Sequence, residues 1–514
     1  MEEKGSFLKG ALILSIAGAI SKLLGAIYRI PLGRLLGGEG MGLYQMAYPI
    51  YTTILALATA GVPVAISVLV SRNETRGFSG DSKKLFRVSM LVLFVLGLLL
   101  SILVIQCAPF LATTVLKQPR AYWPIVAVAP AIFFASLMSV YRGYFQGHQD
   151  MTPTAVSQVV EQLCRVTAVL ILAFWLFPRG LEYAAAGATF GAVVGGIAGL
   201  IVLMVFYSRF EKRHPRDQIL QYSGTPSSQL AREMIRLAIP VSFGAVVFPL
   251  VQVLDAVIVP SRLMDIGYST SQATALYGYL SGMAAVLISL PTIFTISIST
   301  SLVPAISEAK AQKKRALVNN RLNYGMRAGM IISFPCAVGL YVLAAEICDL
   351  LYNAPEAGVP LEPLAFSCIM LAAFQLSSAG LQGIGRPEIG MRNLIITGAI
   401  KVFFNYTLTA IPALNIKGAA IGTVLAFLIG SLLNLIALQR LTGVRYEIGR
   451  MIKIGLIAIL MGIAVHFAYI FIAAYDIHTY IATLLAITLG VIIYGIGLML
   501  VKEFDIDMIK RIVS

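Results

Sequence analysis

The chain has very little charge. Only 12% of its 514 residues are charged, whereas 58% are hydrophobic and the mean hydropathy is +0.85. Soluble domains carry about 25% charged residues, so a water-soluble enzyme is excluded. Long apolar runs predict a polytopic helical membrane protein, and the short alternating segments of a membrane β-barrel are absent from the sequence.

Cysteine and histidine are also scarce. Five Cys and four His are scattered along the chain, without the spacing of a zinc site, a redox pair or a disulfide framework. The segment Gly38–Gly42 superficially resembles a nucleotide-binding loop, but it has no preceding strand and no Lys-Ser/Thr ending. The sequence therefore predicts no metal, no organic cofactor and no catalytic residues, and it excludes ATP hydrolysis by a Walker-type site.

Fourteen apolar segments reach the ~20 residues that a helix needs to cross a bilayer. They lie at 7–30, 41–70, 86–106, 122–145, 154–177, 183–207, 233–259, 273–303, 328–350, 361–383, 393–413, 417–439, 451–473 and 479–501. With a cytoplasmic N-terminus, 29 of the 39 Lys and Arg, including Arg142 at the end of the fourth span, fall on the cytoplasmic side. The net charge of +15 therefore sets orientation, with both termini inside, and does not indicate a nucleic-acid partner.

Similar segments in the two halves of the chain indicate an internal duplication. The pairs are Val62–Ser67 with Val303–Ser307, Phe145–Gly147 with Leu381–Gly383, and small-residue rows at 187–199 and 418–430. An even number of spans in each half predicts parallel repeats, as in transporters. We expect an N-terminal six-helix lobe at 1–210, a cytoplasmic linker at 211–232, a C-terminal six-helix lobe at 233–440, and two additional helices with a cytoplasmic tail at 441–514.

Charged side chains inside the predicted spans are candidate site residues, because a charge near the bilayer centre costs about 2.5–3.5 kcal/mol. Lys22 and Arg29 share one side of the first helix, although Arg29 has the alternative of reaching outward to the interface. The fifth span carries a polar stripe that includes Gln158, Glu161 and Arg165. Glu161 and Arg165 can pair within the helix, either as a structural contact or as part of a site.

The second half of the chain carries a matching cation. When Phe145–Gly147 is aligned with Leu381–Gly383, Arg165 is aligned with Lys401. Lys401 shares a helix face with Asn405. Asp255 in the seventh span is either an ion-coupling residue or a partner of Lys22 or Lys401. The predicted substrate-binding residues are Lys22, Arg29, Glu161, Arg165, Asp255, Lys401 and Asn405.

Three other patterns have mainly structural interpretations. The small-residue rows favour close helix packing, and the Ser and Thr of the eighth span favour hydrogen bonds to their own helix backbone. The tyrosines of the second span, Tyr44, Tyr48 and Tyr51, line a mouth or form an aromatic belt at the membrane interface.

The segment Arg142–Gln149 followed by Pro153–Gln162 resembles the signature of Gram-positive polysaccharide transporters of the stage V sporulation protein B type. Phe7–Gly10 and Gly61–Ser67 are similar to the same family. It belongs to the multidrug/oligosaccharidyl-lipid/polysaccharide (MOP) exporter superfamily, which includes MurJ lipid II flippases. The resemblance implies an all-α, MATE-like membrane fold of about 14 helices, with two pseudo-symmetric six-helix lobes around a central cavity and two C-terminal helices.

The resemblance also implies a function. It implies a flippase that moves an undecaprenyl-pyrophosphate-linked saccharide, specifically the peptidoglycan precursor lipid II, to the outer leaflet of the bacterial plasma membrane by alternating access. Ser21–Gly25 matches the family's first-helix cation motif through Lys22, whereas the next cation is displaced to Arg29, and the second-helix cation is replaced by Thr52 and Thr53. The expected partners are this anionic diphosphate lipid, membrane lipids and the cell-wall synthesis machinery, with an ion gradient or membrane potential as the energy source.

Other functions stay open at this point. A flippase for another lipid-linked polysaccharide has the same requirements. A cation-coupled multidrug exporter shares the fold, but an excess of intramembrane cations over Glu161 and Asp255 does not suit cationic drugs. A membrane glycosyltransferase or polymerase needs a loop with clustered carboxylates, and the sequence has none.

Overall fold

The computed structural model describes residues 2–213, 221–474 and 478–503. Within these ranges the chain is helical and contains no β-strand. Residues 214–220 of the predicted linker and residues 504–514 of the predicted tail lie outside the described residues, as do residues 475–477.

Nineteen α-helices cover most of the described chain. In the first half these are α1 Glu2–Ile27, α2 Arg29–Thr59, α3 Val62–Thr75, α4 Ser79–Phe110, α5 Tyr122–Val128, α6 Pro130–Gly147, α7 Thr152–Leu176, α8 Leu181–Arg213 and α9 Ser227–Asp265. In the second half they are α10 Thr270–Tyr277, α11 Ala285–Ala311, α12 Arg315–Val342, α13 Ala344–Tyr352, α14 Gly358–Ala365, α15 Ser367–Gly383, α16 Pro387–Leu408, α17 Asn415–Thr442, α18 Ile448–Ala473 and α19 Thr479–Leu500. Short π-helical turns at Leu111–Val115 and Gly278–Ala284 extend α4 and join α10 to α11.

Length and hydropathy identify 11 membrane-spanning helical segments among the described residues, or up to 12 if the bent pair of α14 and α15 is one span. The all-helical membrane fold is thus confirmed, whereas the number of fourteen is not. Most of the first predicted span and all of the second fall within one helical segment of 60 residues, Ile16–Thr75. The eleventh predicted span corresponds to α16, which is not among the candidate segments.

The predicted boundaries within the first two spans are wrong in detail. The expected loop after residue 30 lies inside α2, which is interrupted only at Gly37, where the backbone has φ 62° and ψ −170°. The Val62-Pro63 motif lies near the end of the second predicted span, but in the structure it begins a separate helix, α3. This position suits proline, which is well tolerated in the first turn of a helix. Its repeat at Pro304 lies inside the continuous α11.

The described residues divide into two compact units, with the boundary between Val257 and Ile258 inside α9. In the first unit α7 packs along α8 and α1 packs on α7, while α3 and α4 pack on α6. One core of this unit joins side chains of α3, α4 and α6 to Leu230 and Met234 of α9. The N-terminal part of α9 is therefore an integral part of the first unit.

In the second unit α15 contacts α11, α12 and α17, while α16 packs along α17. Its main core joins α11, α12 and α15 with Leu438 of α17. The two last helices pack on each other, and α18 packs on α12. The pairing of α16 with α17 repeats the pairing of α7 with α8, as the internal duplication predicts.

Candidate functional site

Three ionised side chains cluster where α6 meets α7. Oε1 of Glu161 lies 2.6 Å from Nη2 of Arg165. Its other carboxylate oxygen, Oε2, lies 2.8 Å from Nη2 of Arg142. Each of the three side chains has only 13–18% of its surface exposed. Because two arginines share one carboxylate, this Arg142–Glu161–Arg165 cluster carries one net positive charge in a largely buried position.

The local sequence explains how α7 presents these side chains. Glu161 and Arg165 are four residues apart and lie on the same helix face, so the predicted pair within the helix is confirmed. The glycine row of α8 lies directly against this part of α7. A Cβ at Gly195 would lie 2.7 Å from the carbonyl oxygen of Glu161 and 2.9 Å from Cβ of Arg165. The predicted packing role of this row is therefore confirmed.

Sequence reasoning missed Arg142 as a site residue and counted it only among the cytoplasmic cations. Arg142 lies within α6, and both its Nε and Nη2 donate to the hydroxyl of Ser157 at 3.3 Å. That hydroxyl in turn donates to the carbonyl oxygen of Thr154 at 2.8 Å. Arg142 and Glu161 both lie in the segment Arg142–Gln162 that carries the family resemblance. Because they are on different helices, their spacing along the chain does not reveal that they form an ion pair.

A group of tyrosines extends the cluster toward α2. Arg165 donates to the hydroxyl of Tyr48 at 3.3 Å, and the ring of Tyr48 stacks on Tyr44 with 5.5 Å between centroids. The hydroxyls of Tyr44 and Tyr28 are 2.8 Å apart. Tyr44 and Tyr51 are only 2% and 3% exposed. Because an interfacial belt exposes its rings to lipid, that interpretation is wrong for these two tyrosines.

The two predicted cations near the N-terminus have different environments. Arg29 begins α2 and lies close enough to Tyr28 and Tyr44 to interact with them electrostatically. Its Nε is buried and has no hydrogen-bond partner in the part of the chain that the structure describes. Lys22 is exposed on α1, the helix that packs on α7. The structure therefore associates Arg29 with the tyrosine group and leaves Lys22 accessible.

The equivalent position in the second unit holds a neutral network. The alignment of the two halves that pairs Arg165 with Lys401 also pairs three other residues of the cluster with residues of the second half. Arg142 is aligned with Ser378, Ser157 with Asn393 and Glu161 with Thr397. Asn393 donates to Oδ1 of Asn434 at 2.8 Å, and Asn434 donates to the hydroxyl of Ser378 at 2.8 Å. The hydroxyl of Thr397 donates to the carbonyl oxygen of Asn393 at 2.7 Å. Amides and hydroxyls thus replace Arg142 and Glu161 of the first unit, while Lys401 keeps a cation at the position of Arg165.

The remaining predicted residues lie on α9 and α16. Lys401 is half-buried, one turn after Thr397. Asn405 is buried against α17, where a Cβ at Gly422 would lie 2.6 Å from its Oδ1. Asp255 is half-buried on the part of α9 that belongs to the first unit. A substrate-binding role for these residues stays a prediction.

Most hydroxyl-bearing side chains of α11 bind their own helix. Ser297 donates to the carbonyl of Ile293 at 3.0 Å, Thr300 to the carbonyl of Ile296 at 3.0 Å, and Ser301 to the carbonyl of Ser297 at 3.2 Å. The predicted backbone hydrogen bonds are therefore confirmed.

The second unit also contains an apolar cavity of about 640 Å³ among α11, α12, α18 and α19. Its lining includes Leu287, Ile331, Val465, Ile487 and Tyr494. Such a surface suits a hydrocarbon chain and offers nothing to a charged headgroup. Within the described ranges, no three His, Cys, Asp or Glu side chains are placed to hold a metal ion.

The fold matches solved transporters over most of the chain. The lipid II flippase MurJ in an inward closed conformation aligns with a TM-score of 0.72 at 16% identity, covering 95% of this chain and 98% of that one. An inward-facing multidrug resistance MATE family transporter of the MOP superfamily aligns with a TM-score of 0.67 at 15% identity, covering 84% of this chain and 98% of that one. The molecule is a multi-pass membrane protein with the MOP transporter fold.

Sequence comparison identifies the family. The family model described as polysaccharide biosynthesis protein matches residues 7–310, and the MatE model matches residues 269–407. Stage V sporulation protein B of Bacillus subtilis (strain 168) is 34% identical over 446 residues, covering 87% of this chain and 86% of the relative. Lipid II flippase MurJ of the same strain is 29% identical over 487 residues, covering 89% and 87%. The chain belongs to the polysaccharide biosynthesis protein family of the MOP superfamily, and it is a transporter, not an enzyme.

Proposed function

We propose that this transporter flips an undecaprenyl-pyrophosphate-linked saccharide, specifically lipid II, from the inner to the outer leaflet of the bacterial plasma membrane by alternating access. The relatives named above support a flippase, and one of them carries lipid II in its name. The observation that carries the proposal is the net positive Arg142–Glu161–Arg165 cluster in a membrane lobe. A buried excess cation of this kind is costly unless an anion uses it.

Arginine at position 165 suits a diphosphate group. A guanidinium binds phosphate oxygens through two parallel N–H donors, whereas an ammonium acts as a point charge. Nε of Arg165 is buried and has no hydrogen-bond partner among the described residues, so one donor is available without breaking an existing contact. In this proposal Arg165, Lys22 and Arg29 of the first unit hold the diphosphate, while Glu161 orients Arg165 in the empty transporter. Lys401 of the second unit is proposed as a further substrate-binding residue.

The proposed energy source is an ion gradient or the membrane potential. One elementary charge that crosses 100 mV contributes about 2.3 kcal/mol. Both termini are proposed to be cytoplasmic, following the positive-inside rule. Thiol labelling tests this orientation, with Lys313→Cys expected to react from the cytoplasm and Glu356→Cys from outside. Asp255 and Asn405 are proposed to contribute to ion coupling or substrate contacts.

The test is transport of fluorescent lipid II by the full-length protein in vesicles with an imposed membrane potential and ion gradient. We expect Arg165→Ala to abolish transport at near-normal protein abundance, and Arg165→Lys to retain a fraction of it. Arg72→Gln is the matched control, because Arg72 forms a more exposed ion pair with Glu233 in the same compact unit. Dissipating the potential and gradient should stop transport, and adding ATP should not restore it.

Three results would contradict the proposal. Full transport by the Glu161→Gln/Arg165→Gln variant at normal abundance would show that the pair is only structural. Undiminished transport in de-energised vesicles would exclude the energy source. In cells depleted of the protein, accumulation of a different lipid-linked saccharide on the inner leaflet would exclude lipid II as the substrate.

A further inference from the structure

The two arginines contact different oxygens of the same carboxylate. Arg165 binds Oε1 of Glu161, while Arg142 binds Oε2. Neither contact depends on the other, so the removal of one arginine leaves the second ion pair in place. With a single arginine, release of that residue would leave an uncompensated carboxylate in a buried position, which is strongly unfavourable.

Arg142 is anchored by a buried serine as well as by Glu161. The hydroxyl of Ser157 accepts from two of its nitrogens, and Ser157 is itself fully buried. The helix that carries Arg142 is also packed closely on α3, because a Cβ at Gly143 would lie 2.9 Å from the carbonyl oxygen of Pro63. Arg142 is therefore a fixed partner of Glu161 on a tightly packed helix.

Outside the ion pair, Arg165 has tyrosine partners and one unsatisfied donor. Its Nη1 donates to the hydroxyl of Tyr48 at 3.3 Å, its side chain also hydrogen-bonds Tyr51, and its Nε is buried without a hydrogen-bond partner in the described part of the chain. Reorientation of Arg165 therefore costs its contact with Glu161 and its contacts with two tyrosine hydroxyls, and the unsatisfied Nε gains a partner when an anion binds. Within the described residues Arg142 has its Nε satisfied by Ser157, so the two arginines differ in what they have to offer an anion.

We propose that Arg142 is a positioning residue that retains Glu161 when Arg165 turns to the diphosphate of the substrate. This inference rests on the proposed function, because it assumes that Arg165 binds the anion. Arg142 does not itself contact the substrate. It keeps the Glu161 carboxylate neutralised, so that Arg165 can exchange a carboxylate for a diphosphate and later return to it.

The experiment measures binding of farnesyl diphosphate to the full-length protein in lipid nanodiscs. We expect Arg142→Gln to weaken binding about tenfold, because Arg165 then becomes the sole counter-ion of Glu161. Arg142→Lys keeps a positive charge beside the carboxylate and should bind within about threefold of the wild-type protein. The double variant Arg142→Gln/Glu161→Gln should also return to within about threefold, because no carboxylate remains to be neutralised. Arg72→Gln is the control and should bind like the wild-type protein.

The rescue by Glu161→Gln distinguishes this role from two others. If Arg142 contacted the diphosphate directly, the double variant would bind as weakly as Arg142→Gln. If Arg142 were only a structural brace, Arg142→Gln would lower the melting temperature and the double variant would not recover binding. Wild-type binding by Arg142→Gln would also overturn the inference.

The Arg165→Ala variant separates this inference from the function on which it rests. Wild-type binding by Arg165→Ala would contradict the proposed function itself. Loss of binding in Arg165→Ala, together with no recovery in the double variant, would contradict only the role of Arg142.

Discussion

The two halves of the chain share a helical repeat but place different chemistry at its equivalent point. In the first half, α6 and α7 meet through an ionic cluster around Glu161. In the second half, the same positions of α15 and α16 meet through the amides of Asn393 and Asn434 and the hydroxyl of Ser378. The neutral network joins its helices through amides and hydroxyls, whereas the first half uses an ion pair between α6 and α7 at the same positions. The repeat therefore keeps the helix packing and a cation at the aligned positions of Arg165 and Lys401, while the contact between the helices differs in its chemistry.

The halves also differ at the Val-Pro motif. In the first half Gly61 allows α9 to approach so closely that a Cβ would lie 2.0 Å from the carbonyl oxygen of Ala238. The N–H of Gly61 also donates to the hydroxyl of Ser242 at 3.0 Å. The aligned residue in the second half is Leu302, which is buried in that half's core. The first half therefore requires a glycine where the second requires a large side chain.

The largest effect is expected from exchanging these residue types. Gly61→Leu should prevent folding, because its side chain would occupy the space of the α9 backbone. Leu302→Ala should fold with a loss of about 2–5 kcal/mol. Yield after detergent extraction and thermal unfolding of the full-length protein measure both effects. Equal stability of the two variants would show that the close approach of α9 is not required.

An intermediate effect is expected at the neutral network. Asn434→Ala removes the acceptor for Asn393 and the donor to Ser378, which should cost about 1–3 kcal/mol of stability. Transport per molecule should stay unchanged, in contrast to Arg165→Ala. Thr407→Ala is the control, because its hydroxyl binds only carbonyls of its own helix. Loss of transport by stable Asn434→Ala protein would mean that the neutral network also serves function.

The smallest effect is expected at ion pairs near helix ends. Arg120 binds both Glu39 and Glu182 in the first half, whereas Lys417 in the second half binds one carboxylate among the described residues, that of Glu362. Both cations are about two-fifths exposed, so we expect a loss of about 1 kcal/mol for Arg120→Gln and under about 0.5 kcal/mol for Lys417→Gln. Thermal unfolding at low and high salt measures these losses, and 1 M salt should reduce both. A larger effect at Lys417 would reverse this part of the comparison.

Much of the fold could be predicted from the sequence, because hydropathy and length determine which segments cross a membrane. The pair of Glu161 and Arg165 was also predictable, since it depends only on helical spacing. Arg142 was not, because its contact depends on how α6 packs on α7. The burial of Tyr44 is likewise a result of helix packing, and aromatic composition alone does not distinguish it from an interfacial belt. The boundary of the two units inside α9 depends on the approach of α9 to Gly61.

The hydroxyls of α11 have a consequence for selectivity. Ser297, Thr300 and Ser301 lie on an exposed face, and each uses its single proton on a carbonyl of its own helix. This face consequently presents only oxygen lone pairs to any molecule that passes along it. A permeant that brings its own donors, such as the hydroxyl groups of a sugar, can form hydrogen bonds there. Phosphate oxygens have to compete with the helix carbonyls for these protons, so the exposed face of α11 favours sugar hydroxyls over phosphate groups.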